Sequence, residues 1–229
     1  MANTVDYDGL VHVLRAAAAR VKAGAAELGR LDSAVGDGDH GIAMTRAMEA
    51  IEKSIDGCPA RGGKALLQGV AWSVMSIDAG ATGPLMGSLL MGMVEPAGEA
   101  AEFDPPRLAS MFAAGLAKMR AVSKASAGDK TMLDALVPAV EALQAAAAGG
   151  DSVAASLAEA AAAAQAGAEG TKTLVAKFGK ARNLGDRSLG HQDPGATSIA
   201  LFFQGLAEGA AALTTAELVV GQTSTLPKS

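Results

Sequence analysis

Apolar residues recur at helical spacing along almost the whole chain. Leu10, Leu14, Ala17, Val21 and Leu28 fall on one face of a first helix over about 5–29. The same pattern predicts helices over about 40–55, 62–79, 83–100, 105–124, 130–148, 151–176 and 194–213. The sixth carries Leu133, Leu136, Val137, Val140 and Leu143 on one side, with Pro138 inside it as an expected kink. The seventh is rich in Ala, the best helix former. Ile199, Phe202, Phe203 and Leu206 mark the eighth. Periodicity fades beyond residue 213, so 1–213 reads as a single helical domain and 214–229 as a flexible tail. Strand-rich domains favour β-branched and aromatic residues. Aromatics make up only 3% of this chain, and the fold class is all-α.

Eight helices joined by short connections imply antiparallel neighbours. All even-numbered helices then start at one end. The unusual loops of the chain precede those helices: residues 36–41, Gly80-Ala81-Thr82-Gly83-Pro84, Gly128-Asp129-Lys130-Thr131 and Gly190-His191-Gln192-Asp193-Pro194-Gly195. Thr82 and Asp193 read as N-caps, and Pro84 and Pro194 suit a first helical turn. Four helix N-termini would present unpaired N–H groups and positive dipole ends to one patch. Such a patch suits polyphosphate.

The stretch Leu31-Asp32-Ser33-Ala34-Val35-Gly36-Asp37-Gly38-Asp39-His40-Gly41 sharpens that reading. It places three carboxylates and a histidine within nine residues, interrupted by glycines, and so reads as a loop. Clustered carboxylates repel one another unless a cation neutralises them. A hard divalent ion such as Mg²⁺, sharing its shell with phosphate oxygens, fits this chemistry. Gly36-x-Gly38-x-x-Gly41 also matches a dinucleotide fingerprint, but no β-branched run precedes it and aspartates fill its variable positions. An EF-hand beginning at Asp37 would need Glu at its twelfth position, where Met48 stands. A solvated turn with Asp caps remains open for the loop taken alone.

Composition narrows the remaining classes. At 229 residues the chain suits one large domain or two small ones. A formal charge of −5 argues against general nucleic-acid binding. The single Cys58 excludes an internal disulfide and suits a reducing compartment. The acidic N-terminus lacks an apolar signal core, and no stretch reads as a bilayer span. The expectation is a cytoplasmic protein with no nucleic acid or membrane partner. Cys58 reads as an inert thiol, His12 as structural, Trp72 as core, and His191 as a loop hydrogen bonder.

Four segments together resemble the nucleotide-binding L subunit of dihydroxyacetone kinase, the DhaL family. They are Leu31-Asp32 with 36–41, Gly80-Ala81-Thr82-Gly83-Pro84-Leu85, Gly128-Asp129-Lys130-Thr131-Met132, and the long block from Leu184 to Ser198. The resemblance implies an eight-helix antiparallel up-and-down barrel with ADP or ATP and two Mg²⁺ at one end. It implies Asp32, Asp37 and Asp39 as metal ligands. It assigns the phosphates to His40, Gly41, Ile42, Ala43, Ala81 and Thr82, the surroundings of the adenosine to Ser123 and Met132, and the rest of the pocket to Asp193, Pro194 and Gly195. It also implies a DhaK-like subunit that holds the sugar as a hemiaminal on a histidine, and a DhaM-like phosphohistidine donor of the phosphotransferase system as the alternative to ATP. The chain departs from the family pattern in carrying Ala43 for Asn, and Gly179-Lys180-Ala181-Arg182-Asn183 where the family has Gly-Arg-Ala-Ser-Tyr. Lys180 therefore stands where an arginine would clamp the moving phosphate, with Arg182 as the other candidate. Lysine neutralises charge as a point donor rather than a planar fork.

The expected function is a kinase subunit that donates a phosphoryl group to dihydroxyacetone or a related short ketose on the partner. Two alternatives stand beside it. One is a nucleotide-sensing module read by a transcription regulator. The other is a helical barrel that binds lipid.

Overall fold

The computed structural model describes residues 3–58 and 61–223, with side chains to residue 215. Two short strands, β1 (Val5–Asp6) and β2 (Glu102–Phe103), pair antiparallel. The described residues otherwise form nine α-helices: α1 (Tyr7–Ala23), α2 (Ala25–Val35), α3 (His40–Asp56), α4 (Gly63–Met75), α5 (Thr82–Ala97), α6 (Pro105–Val122), α7 (Leu133–Gly149), α8 (Val153–Gly170) and α9 (Pro194–Thr223). Eight of them pack side by side in the order α1, α3, α4, α5, α6, α7, α8, α9, and α9 returns to α1. The ring is an antiparallel up-and-down barrel, as the helical periodicity and short loops require. α2 stands outside it, against the start of α3.

The core is one contiguous apolar cluster built from Ala, Leu, Val, Met and a few Phe. Phe112 of α6 and Phe203 of α9 meet at 4.9 Å between ring centroids. Those helices are not ring neighbours, so the pair fills the barrel interior. Small residues let neighbouring helices approach closely. A side chain on Gly92 of α5 would strike the backbone of Gly115 on α6.

Several boundaries differ from those the pattern predicts. The expected first helix breaks at Gly24, which ends α1 and begins α2. Glycine leaves a helix at little cost, and a Cβ there would run into Leu201. Asp32 therefore lies in the last turn of α2 rather than in a loop, and the true turn is residues 36–39. Thr82 is the first residue of α5, not its cap; Ala81 precedes it and makes no side-chain capping bond. Trp72 is 58% exposed. The buried face of α4 is Leu66, Leu67, Val70, Ala71 and Val74, which turns residue 72 outward. α7 continues through Pro138. α9 runs ten residues past the expected boundary at 213, and residues 224–229 lie outside the described residues. Thr214 and Thr215 back-bond through their hydroxyls to the carbonyls of Ala210 and Ala211, one turn earlier on the same helix. By length and hydropathy Pro194–Thr215 could cross a membrane, but 61% of that window is buried in the barrel, as in a core helix.

Candidate functional site

The N-termini of α3, α5, α7 and α9 open on a single cleft of about 650 Å³. Up-and-down connectivity brings them together, as expected from the loops. The cleft is lined by Asp32, Asp37, Asp39 and His40, by residues 79–82, by Ser123, by residues 130–133, by residues 178–181 and by residues 193–195.

The carboxylates come first. One oxygen from each of Asp32, Asp37 and Asp39 lies within 4.8 Å of the others. Asp32 is buried, and its Oδ2 accepts the His40 N–H at 3.1 Å. It thereby caps α3, which Asp39 does not. Gly41 makes this possible, because any Cβ there would collide with the Ala25 carbonyl of α2. Gly38 completes the turn at φ +80°, a conformation that favours glycine. The Lys180 ammonium donates to Asp37 and lies 3.6 Å from Asp39. That hydrogen bond holds the Asp37 carboxyl below its usual range and raises Lys180. Burial lowers the His40 pKa, against the opposing charges of Asp32 and Asp39. Its Nε2 sits 3.2 Å from Ser198 Oγ. Three hard oxygens, two of them from carboxylates that already pair with a cationic side chain, form a donor set suited to a divalent ion.

The other rims are built from backbone and caps. Asp134 Oδ2 accepts the Thr131 N–H at 2.6 Å, and its Oδ1 accepts the Gly128 N–H at 2.6 Å. Asp193 accepts the Ala196 N–H at 2.6 Å and caps α9 as expected. Its burial pushes its pKa up to about 7, with the charge of Asp134 adding and that of Lys130 opposing. Asp129 pairs with Lys177 at 2.8 Å, which holds its carboxyl low.

Most residues expected at the site line this cleft. Gly41, Ile42, Ala43 and Arg182 do not. Gly41 and Ala43 are buried beneath the first turn of α3, Ile42 is 60% exposed, and the Ala43 N–H is donated to Asp39 O. The first-turn position of Gly41 and Ile42 leaves their N–H groups outside the intrahelical ladder.

Lys130 and Phe178 also line the cleft, and Asp134 braces the loop before α7; the sequence pattern singled out none of the three. Thr131-x-x-Asp134 has the capping-box pattern and was detectable. Burial of Lys130 carried no signal. Its Nζ bonds four carbonyls, those of Thr171, Leu174, Ser188 and His191.

An all-α barrel with a carboxylate cluster among converging helix N-termini describes a metal–phosphate site, and comparison with known proteins agrees. Residues 34–208 match the DAK2 domain, and the chain belongs to that family. It is 34% identical over 177 residues to the ADP-binding subunit DhaL of the PEP-dependent dihydroxyacetone kinase of Escherichia coli, covering 77% of this chain and 84% of that one. It is 34% identical over 203 residues to a DhaL subunit of Listeria innocua, covering 89% and 96%. The dihydroxyacetone kinase of C. freundii in complex with AMP-PNP and Mg²⁺ superposes with a TM-score of 0.67 at 29% identity, over 86% of this chain. The chain spans about a third (33%) of that kinase.

Proposed function

We propose that this chain is the nucleotide- and Mg²⁺-binding subunit of a kinase for dihydroxyacetone or a related short ketose. Its sugar is held on a separate DhaK-like subunit. The observation that carries this reading is the meeting of four helix N-termini and three carboxylates on one cleft. Two Mg²⁺ ions, when bound, supply charge neutralisation at the phosphate oxygens. Asp32, Asp37 and Asp39 would hold them. Backbone N–H groups at the starts of α3 and α5, with the Thr82 hydroxyl, orient the phosphates. Ser123 and Met132 flank the adenosine, and residues 193–195 close the pocket.

Phosphoryl transfer needs positioning and charge stabilisation more than covalent help. Lys180 is the cation for the moving group. It lines the cleft beside the carboxylates, whereas Arg182 does not. No base is required on this chain, because the acceptor hydroxyl belongs to the partner. The names of the PEP-dependent, ADP-binding relatives support a resident ADP recharged by a DhaM-like phosphohistidine protein. The lone cysteine fits a cytoplasmic setting.

The test is reconstitution. Purified chain, a DhaK-type subunit and a short ketose should give sugar phosphate only when a phosphohistidine donor or ATP is added. The chain alone should leave free ketose untouched. Turnover by the chain alone, or none with any such partner, would overturn the reading.

A further inference from the structure

Lys130 is 1% exposed, yet it carries an ammonium. Four backbone carbonyls converge on it: Thr171 at 2.8 Å, Leu174 at 3.1 Å, Ser188 at 2.7 Å and His191 at 2.6 Å. An ammonium has three N–H groups, so one is shared between two acceptors. A ring of carbonyl oxygens around a compact cation is also how proteins replace the hydration shell of a monovalent ion. Here the cation arrives on a side chain.

The four carbonyls are not scattered. Two belong to the start of the long connection between α8 and α9, and two to its end. Other bonds brace the same two roots. Gly190 N–H donates to Lys172 O at 2.8 Å, and Ala176 N–H donates to Ser188 Oγ at 2.9 Å. Between the roots runs the segment that carries Lys180 to Asp37. The backbone at Lys130 takes φ 61°, a region that L residues rarely occupy. Such strain persists only where the surroundings enforce it. Burial lowers the Lys130 pKa, and the charges of Asp193 and Asp134 oppose that by favouring the ammonium.

We infer that Lys130 acts as a built-in monovalent cation and a positioning residue. Its ammonium draws both roots of the 171–191 connection together, and this sets Lys180 over the carboxylates of the α2–α3 turn. The clasp itself is independent of the proposed function; its effect on phosphoryl transfer rests on that reading.

Chemical rescue tests this. Lys130→Ala removes three carbons and the nitrogen beyond Cβ, the size of n-propylammonium. Lys130→Gly also relieves the backbone strain, and serves if the alanine variant folds poorly. Amide hydrogen exchange over residues 174–190 should speed up by about tenfold or more in either variant. n-Propylammonium in the alanine variant, or n-butylammonium in the glycine variant, should restore most of the protection. Tetramethylammonium at equal ionic strength should not, because it has no N–H to donate. With a DhaK-type partner, transfer should slow and recover in parallel. Unchanged exchange, or equal protection by both amines, overturns the clasp. Rescued exchange with transfer at the wild-type rate throughout overturns the positioning of Lys180. A wild-type chain that transfers to no partner would fail the proposed function instead, while the exchange data still judge the clasp.

Discussion

Lys180 and Asp37 lie 143 positions apart in the chain, and their side chains share a hydrogen bond at the mouth of the cleft. The long connection after α8 thus reaches across the barrel end to the turn after α2. The lysine sits within the acidic cluster, 3.6 Å from Asp39 as well. Both side chains are about half exposed, so the pair adds little to stability. Its importance is the placement of a cation beside three carboxylates.

Lys180→Ala should therefore slow transfer by about 10²–10³, the typical loss for one donor aimed at developing charge. The affinity for Mg–ADP should not weaken, because the charge on the moving group matters most in the transition state. Binding of Mn²⁺ alone should tighten, since the carboxylates lose a competing cation. Single-turnover transfer and Mn²⁺ titration by electron paramagnetic resonance read the two effects. Weaker Mn²⁺ binding in the variant would contradict the competition.

Asp37→Asn should abolish Mg–nucleotide binding and leave the melting temperature of the free protein nearly unchanged. The residue is exposed and supports no buried contact. Its ion pair with Lys180 is half exposed and adds little to stability. Calorimetry with Mg–ADP decides; wild-type affinity would sink the metal assignment.

ADP with Mg²⁺ should raise the melting temperature, and ADP with EDTA far less. A ligand at 100 times its dissociation constant stabilises the folded state by about 2.7 kcal/mol. Equal shifts in both conditions would point to a site that needs no metal.

Asp193 gives a pH signature. Its carboxyl is pushed from the ordinary 3.8 up to about 7 in the folded chain, chiefly because it is buried. A raised folded pKa means that the folded state holds the proton more tightly. Its contribution to stability is complete below the unfolded value and is lost as pH rises toward 7. Asp134 and Lys130 are the charges that act on it. Asp193→Asn keeps an oxygen for the Ala196 N–H and removes the titration. Relative to wild type, this variant should gain on the order of 2 kcal/mol between pH 5 and pH 8. Urea unfolding at both pH values, without nucleotide, measures it; a pH-independent difference would refute the assignment.

The helices were legible because each buries a stripe that repeats locally. The shared end of four N-termini followed from counting helices and loops, with no contact known. What failed was non-local. Gly24 reads like any helical glycine until Leu201 is seen packed against it. That hidden break put Asp32 in a loop on paper and in a helix in fact. Trp72 looked like core because an aromatic is costly to expose, although its helical phase pointed outward. Lys130 sits in a recognised segment, but its partners are carbonyls 41 to 61 residues away, and carbonyls are the same in every residue.

The closing contact of the ring has a consequence for how such a domain can be built into larger proteins. α1 begins and α9 ends away from the cleft, and Gly9 of α1 lies against Leu213 of α9. The roughly 20 residues of α9 from its start to that contact span about 30 Å. A tether attached at either extremity would therefore emerge at the floor of the barrel, with the mouth left clear. Separate subunits and segments of longer kinases can then share one reacting end, since covalent attachment and phosphoryl exchange occupy opposite poles of the same cylinder.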